Sequence, residues 1–408
     1  MIDLAEARGA EVGGKAGPLA ELLRAGFDVP PGFVVPTPVF RQVVSGLERT
    51  ATDAERRGRI LEAELPPGLA AHLGAALDRL TEHCDSGCVA VRSSSSSEDT
   101  DRRSAAGQHH SVLGVRGLEA VSRAIRECWE STWSDRALAY GAAGVVGEMA
   151  VLVQEWVDPQ VSGVMFTRPQ GSGDVSVIEA TWGIGDGLVS GRVTPDSWTV
   201  DGSGVVRRRV GGKARREDRL GGRIVWTSVS GRDRARPCLS DDDVLRLHDL
   251  GSRIAARLGG ARDIEWVLDG DRIRVVQARP VTAEIPSRAP ELREHHDGTL
   301  HNGTLHGIAG AVGTATGPVR HVRGPADFRR VRPGDVLICR ETDPAWTPLF
   351  SVAAAVVTET GGVLSHAAIV AREVGIPAVL AVEGAMERLA PGVQVHVDGH
   401  AGSVAREG

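Results

Sequence analysis

Residues 358–380 read TETGGVLSHAAIVAREVGIPAVL. Thr358 closes a strand pattern, Gly361-Gly362 permits a tight turn, and Ser365 is a helix N-cap by residue type. His366 then falls in the first turn of a helix that Gly375 and Pro377 stop. A histidine there faces free backbone N–H groups and the positive end of the helix dipole. That position disfavours an imidazolium. It favours a neutral imidazole that attacks phosphorus and then carries an anionic phosphoryl group. Geometry alone leaves the plainer alternative equally open, a histidine that sits in a turn and has no chemical role.

Other residues invite phosphate chemistry. The chain has only two lysines, Lys15 and Lys213, among 47 basic residues. A lysine retained against an arginine background marks a place where a compact ammonium works and a forked guanidinium does not. Phosphate contact is one such role. Lys15 follows Gly13-Gly14 and opens a helix whose apolar face is Leu19, Leu22 and Leu23. The run Ser93–Ser97 and the small-residue stretch 104–108 are expected to form loops whose amides and hydroxyls cradle phosphates; a low-complexity linker is the alternative. Glu265 and Gln277 lie on strands 263–268 and 272–276, paired around Asp269-Gly270-Asp271, so they can converge on one metal. The basic runs Arg207–Arg209 and Arg215–Arg216 read as solvated surface. The glycine-rich loop 181–191 resembles a dinucleotide fingerprint only superficially, because no βαβ context follows it.

The elements that must position these residues are legible in outline. At 408 residues and 41% hydrophobic, the chain can hold two or three domains with sizeable cores. Helices are predicted over 61–82, 118–140, 241–258 and 365–374. Strands are predicted over 33–35, 88–92, 149–157, 163–167, 175–179, 318–322, 335–339, 354–358, 378–382 and 393–397. Residues 283–297 are polar with two prolines and form the expected linker, about 50 Å long if fully extended. The expected fold class is α/β (α+β), with domains at 1–286 and 299–408 joined by a linker at 287–298. A net charge of −6 argues against a general nucleic-acid binder. No apolar run approaches the length of a membrane span. The N-terminus lacks a basic-then-apolar leader layout. Five scattered cysteines suit a reducing, cytoplasmic location.

The segment around His366 resembles the phosphohistidine swivelling domain of the dikinase family, which includes phosphoenolpyruvate synthase, pyruvate phosphate dikinase and rifampin phosphotransferase. The preceding block, Asp343-Pro344-Ala345-Trp346-Thr347-Pro348-Leu349-Phe350, is especially similar to the antibiotic phosphotransferases. The N-terminal region resembles the same family's ATP-grasp domain through GGKAGPLAEL at 13–22, VPPGFVV at 29–35, VRSS at 91–94, AGQ at 106–108, VQEWV at 153–157, SGVMFT at 162–167, TPDSW at 194–198, DIEW at 263–266 and QARP at 277–280. A departure is Ala381, where the family usually has glycine.

The resemblance implies roles. His366 falls on the phosphocarrier position. Lys15 and Arg92 match the cations on the nucleotide phosphates, and Gly107, Gln108, Glu179 and Lys213 join that ATP-binding set. Gln154, Glu155 and Val157 match the hinge that holds adenine through backbone groups. Glu265 and Gln277 match magnesium ligands, and Arg279 a catalytic phosphate clamp. The implied reaction passes the β-phosphate of Mg-ATP to His366 with release of AMP. The terminal phosphate is then lost, and the remaining phosphoryl group goes to a small-molecule acceptor. Given the antibiotic-enzyme-like motif, the acceptor expected is a secondary metabolite or antibiotic hydroxyl, and pyruvate is not the first guess because no third, substrate-binding domain is seen. Alternatives are a phosphocarrier subunit that serves a separate acceptor protein, an ATP-grasp ligase that produces ADP, and a non-catalytic nucleotide binder. No nucleic-acid or membrane partner is expected.

Overall fold

The computed structural model describes residues 1–45, 52–66, 68–82, 84, 86–95, 111–134, 148–167, 175–281 and 303–407. Gly107, Gln108 and the expected linker lie outside them. The chain forms two compact units, each discontinuous in sequence: Met1–Asp174 with Asp218–Trp226 and Arg246–Pro280, and Val175–Glu217 with Thr227–Leu245 and Val281–Gly408. Residues 175–217 and 227–245 thus group with the C-terminal segment. No described helix is long and apolar enough to cross a membrane.

The first unit carries an antiparallel sheet in the order Ile2–Asp3, Gly32–Val35, Met149–Glu155, Val89–Ser95, Ser111–Val115. Its inner face is β-branched and aromatic, the composition that suits a pleated, half-buried surface. Phe33, Val35, Val91 and Val151 bury there with Leu73, Ile125 and Trp129 from the covering helices. Phe40 lies across Trp129 at 6.4 Å between ring centres. The predicted helix 61–82 is two helices, Asp53–Glu62 and Leu69–Thr81. Pro66 and Gly68, the latter at φ +81°, break the run. The first of the two begins with a reciprocal Thr52–Glu55 capping box. A separate antiparallel set pairs Val161–Phe166 with Arg262–Asp269 and Arg262–Asp269 with Arg272–Pro280.

The second unit contains a meander, Ser176–Trp182, Asp196–Asp201 and Gly204–Arg209. Its C-terminal part is an eight-stranded sheet in the order Thr304–His306, Ser403–Arg406, Gln394–Asp398, Thr314–His321, Val336–Cys339, Ala355–Thr358, Ala378–Leu380, Ile308–Ala311. The four strands from Thr314–His321 to Ala378–Leu380 run parallel, and the flanking ones are antiparallel. Two apolar clusters form: Phe350, Trp346, Leu337 and Ala368 belong to one, Val336, Val357, Val379 and Val395 to the other. Alternate residues of one strand thus enter different clusters, as a sheet buried on both faces requires.

Ala381 follows the strand Ala378–Leu380 and sits at φ +55°. This left-handed conformation costs a Cβ-bearing residue roughly 1 kcal/mol. Ala381→Gly is therefore expected to stabilise the C-terminal domain by ~1 kcal/mol and to raise its thermal midpoint by a few degrees, read by calorimetry.

Candidate functional site

In the first unit the serine run is a strand, not a phosphate loop, as far as Ser95. Ser93, Ser94 and Ser95 are buried. The hydroxyl of Ser94 donates to Val12 O (2.8 Å) and accepts from the amides of Lys15 (3.1 Å) and Ala16 (3.2 Å). It caps the helix Gly13–Arg24 from 79 residues away. A Cβ on Gly13 would lie 1.9 Å from Ser94 O, so only glycine allows this approach. Lys15 Nζ donates to Ser93 O at 3.0 Å. The lysine is thereby positioned by the same strand that carries Arg92.

Arg92 donates to Val276 O, to Gln277 Oε1 at 2.7 Å and to Glu265 Oε2 at 3.3 Å. Glu265 and Gln277 are direct partners across the hairpin, beside a register shift at Glu265/Trp266. Their oxygens therefore converge on one cationic nitrogen. A carboxylate and an amide oxygen aimed at one point suit a hard divalent cation that keeps water or phosphate as its other ligands. Arg279 is buried two residues on and pairs through Nε with Asp263 Oδ2 at 2.7 Å. Asp263 had no role in the sequence reading; as Arg279's cross-strand neighbour it is found only through the register.

Gln154 is buried with its Nε2 donating to Pro30 O (2.9 Å), so its side chain braces the strand ends. Glu155 accepts from Arg274 Nη1 at 3.0 Å. The amides of Glu155 and Trp156 are taken by Pro31 O and Cys88 O, at 2.8 and 3.1 Å. Val157 is buried beside them.

In the second unit His366 opens the helix His366–Val374 and is buried. Its Nδ1 lies 2.8 Å from Thr342 Oγ1, and its ring meets Phe350 edge-on at 6.1 Å. Ser365 occupies the N-cap position, but its hydroxyl donates to Gly362 O (2.8 Å) instead of accepting from a helix amide, which corrects the capping expectation. Thr342 was missed in the sequence: it stands 24 residues earlier, and only the folded chain brings it to the imidazole.

Two expected nucleotide contacts are occupied elsewhere. Lys213 is fully buried, and its ammonium donates to Asp196 Oδ1, to Gly211 O (3.0 Å) and to Arg234 O (3.3 Å). Three protein acceptors match the three donors of an ammonium. In the structure the ammonium is thus engaged by protein oxygens, where the sequence reading expected a phosphate contact. Asp196 also accepts from the amides of Gly211 and Cys238, both at 2.8 Å. Glu179 is likewise fully buried and accepts from the amides of Val363 (2.8 Å) and Leu364 (3.0 Å). Burial pushes its carboxyl above the usual range, opposed by Arg209 and by those two amides. Arg209 itself is pulled down by burial and raised by Glu179, so it is not the solvated residue expected from its basic run.

The loop 181–191 holds a short helix, Asp186–Val189. Glu217 lies against it: its carbonyl accepts from Ile184 N at 2.9 Å, and burial, with Asp186 adding to it, pushes its carboxyl up to about 7. A raised carboxyl pKa means that the folded state holds the proton more tightly than the unfolded state. Stability should therefore fall as pH rises from the ordinary value of 4.5 to about 7, and level off above. Glu217→Gln is expected to remove this slope and to stabilise the protein at pH 8 by ~1–3 kcal/mol, checked by denaturant melts across that range.

The family description "Pyruvate phosphate dikinase, AMP/ATP-binding domain" matches residues 9–298. The chain belongs to this dikinase family. "PEP-utilising enzyme, mobile domain" matches residues 331–402, which include His366. A probable phosphoenolpyruvate synthase of Methanothermobacter thermautotrophicus is 34% identical over 96% of this chain and 61% of its own length. One of Archaeoglobus fulgidus is 34% identical over 96% of this chain and 56% of its own length. The phosphoenolpyruvate synthase of Pseudomonas aeruginosa is 35% identical over 95% of this chain and 54% of its own length. The chain thus spans a little over half the length of these dikinase relatives. The dikinase assignment agrees with the α/β architecture and with ATP as ligand of the N-terminal domain.

Proposed function

We propose that the protein is an ATP-dependent phosphotransferase that uses His366 as its phosphocarrier. The observation that carries this reading is the imidazole at the start of the helix His366–Val374, with Nδ1 engaged by Thr342 Oγ1 at 2.8 Å. With Nδ1 engaged, Nε2 is the attacking atom. Nε2 attacks the β-phosphorus of ATP, the bond from that phosphorus to the α–β bridging oxygen breaks, and AMP leaves with the oxygen. The terminal phosphoryl group passes to water or phosphate. The last phosphoryl group passes from Nε2 to the acceptor.

Lys15 and Arg92 would meet the nucleotide phosphates, where fixed positive charge lowers the barrier to phosphoryl transfer. Glu265 and Gln277 would hold Mg2+, which when bound neutralises charge on the phosphate oxygens. Arg279, oriented by Asp263, would clamp a phosphate beside them. The hinge near Val157 would take the adenine.

The relatives' names do not favour the expected secondary-metabolite acceptor. They favour a three-carbon keto acid of the pyruvate class. The test is Mg-ATP labelled separately on the β and γ phosphates. AMP with acid-labile β-label on the protein supports the reading. ADP as the only nucleotide product would overturn it in favour of a ligase. Pyruvate and hydroxylated metabolites, offered to the labelled protein, then separate the acceptor classes.

A further inference from the structure

The loop ahead of His366 is gripped at several points within the second unit. Glu179, on the strand Ser176–Trp182, binds the amides of Val363 and Leu364 with both carboxylate oxygens. Arg372 donates to Val363 O at 2.5 Å. Thr360 Oγ1 donates to Gly191 O at 2.6 Å. A Cβ on Gly362 would stand 2.3 Å from Glu179 Oε1, so the carboxylate reaches the loop only because residue 362 has no side chain.

We propose that Glu179 is a positioning residue for the phosphocarrier, a latch that fixes the 360–365 loop and with it the start of the His366 helix, and not a nucleotide contact. Glu179 is 184 residues from Val363 in sequence, so no local rule of loop or cap explains the pairing. Two backbone donors aimed at one carboxylate form charge-assisted bonds of defined direction. The carboxylate loses its water to make them, and this desolvation offsets much of the gain. A latch of that kind holds geometry firmly yet releases at modest cost, which suits a group that must serve two reactions in turn. The inference rests on His366 being the carrier, but the latch can be read without any turnover.

The experiment uses the full chain and two variants that attack the latch from opposite sides, Glu179→Ala and Gly362→Ala. Hydrogen exchange is followed at the amides of 359–374, and folding is checked by thermal unfolding. In both variants the Val363 and Leu364 amides should exchange at least about tenfold faster, with the interior of the His366 helix unchanged. Unchanged exchange at those two amides in a folded variant overturns the latch. Should Glu179→Ala not fold, Gly362→Ala reads the same two amides. In single turnover with ATP, the rate of His366 labelling should fall at least about tenfold while ATP affinity stays within about twofold. Weaker ATP binding with an intact labelling rate at saturation would instead make Glu179 a nucleotide contact. If the wild type itself takes no label from ATP, the proposed reaction fails, and the exchange data still decide the latch.

Discussion

His366→Ala should take up no acid-labile label from β-labelled ATP and should form AMP at least about 10⁴-fold more slowly than the wild type, the scale of loss seen when a nucleophile is deleted. The substitution removes the only atom proposed to bond phosphorus, so no partial effect is expected. ATP binding should survive it. Lys15, Arg92, Glu265 and Gln277 are held by one another and by Ser93 and Val276, all in the first compact unit. A nucleotide titration alongside the label assay therefore separates a lost nucleophile from a lost site. Wild-type AMP formation by the variant would mean that another group accepts the phosphoryl, and the carrier role would fall.

The second large effect concerns stability. Lys213→Met should destabilise the protein by ~3–5 kcal/mol, because it leaves the buried Asp196 carboxylate without its ammonium. The amides of Gly211 and Cys238, which also bond that carboxylate, carry no full charge to replace the ammonium. Denaturant unfolding followed by the buried Trp198, two residues from Asp196, is the direct measurement. A nucleotide-contacting lysine would behave in the opposite way, with unchanged unfolding and weaker ATP binding. The two readings of this residue are thus separated by two simple titrations.

Sequence reasoning reached the elements whose signals are local. The hairpin around Asp269-Gly270-Asp271 formed as its turn residues dictate, and its register sets Glu265 opposite Gln277. The helix at His366 lies one residue from its predicted start and ends at Gly375 in the left-handed conformation. What escaped was set by distant partners. The serine run reads as a phosphate-cradling loop until Val12, Lys15 and Ala16 supply bonds to the hydroxyl of Ser94. The lysine-poor composition draws notice to Lys213, but the three protein acceptors that engage its ammonium in the structure lie too far off in sequence or type to be foreseen. The strand Gly204–Arg209 is hidden because its arginines read as solvated, although Arg209 is half-buried and reaches toward Pro195 O. Thr342 is invisible as a site residue without the fold, and Glu179, which the resemblance places among the ATP contacts, is found beside the His366 loop only in the fold.

The cap that Ser94 places on the helix Gly13–Arg24 ties a local element to a distant one. That helix begins Gly-Gly and carries Pro18, a poor sequence for starting a helix unaided. Its first turn is completed by a hydroxyl that arrives only when the strand Val89–Ser95 has taken its place. Lys15 and Arg92 come into register in that same event. The order of the first turn, and of Lys15 in it, thus rests on a contact 79 residues away and not on the helix's own sequence.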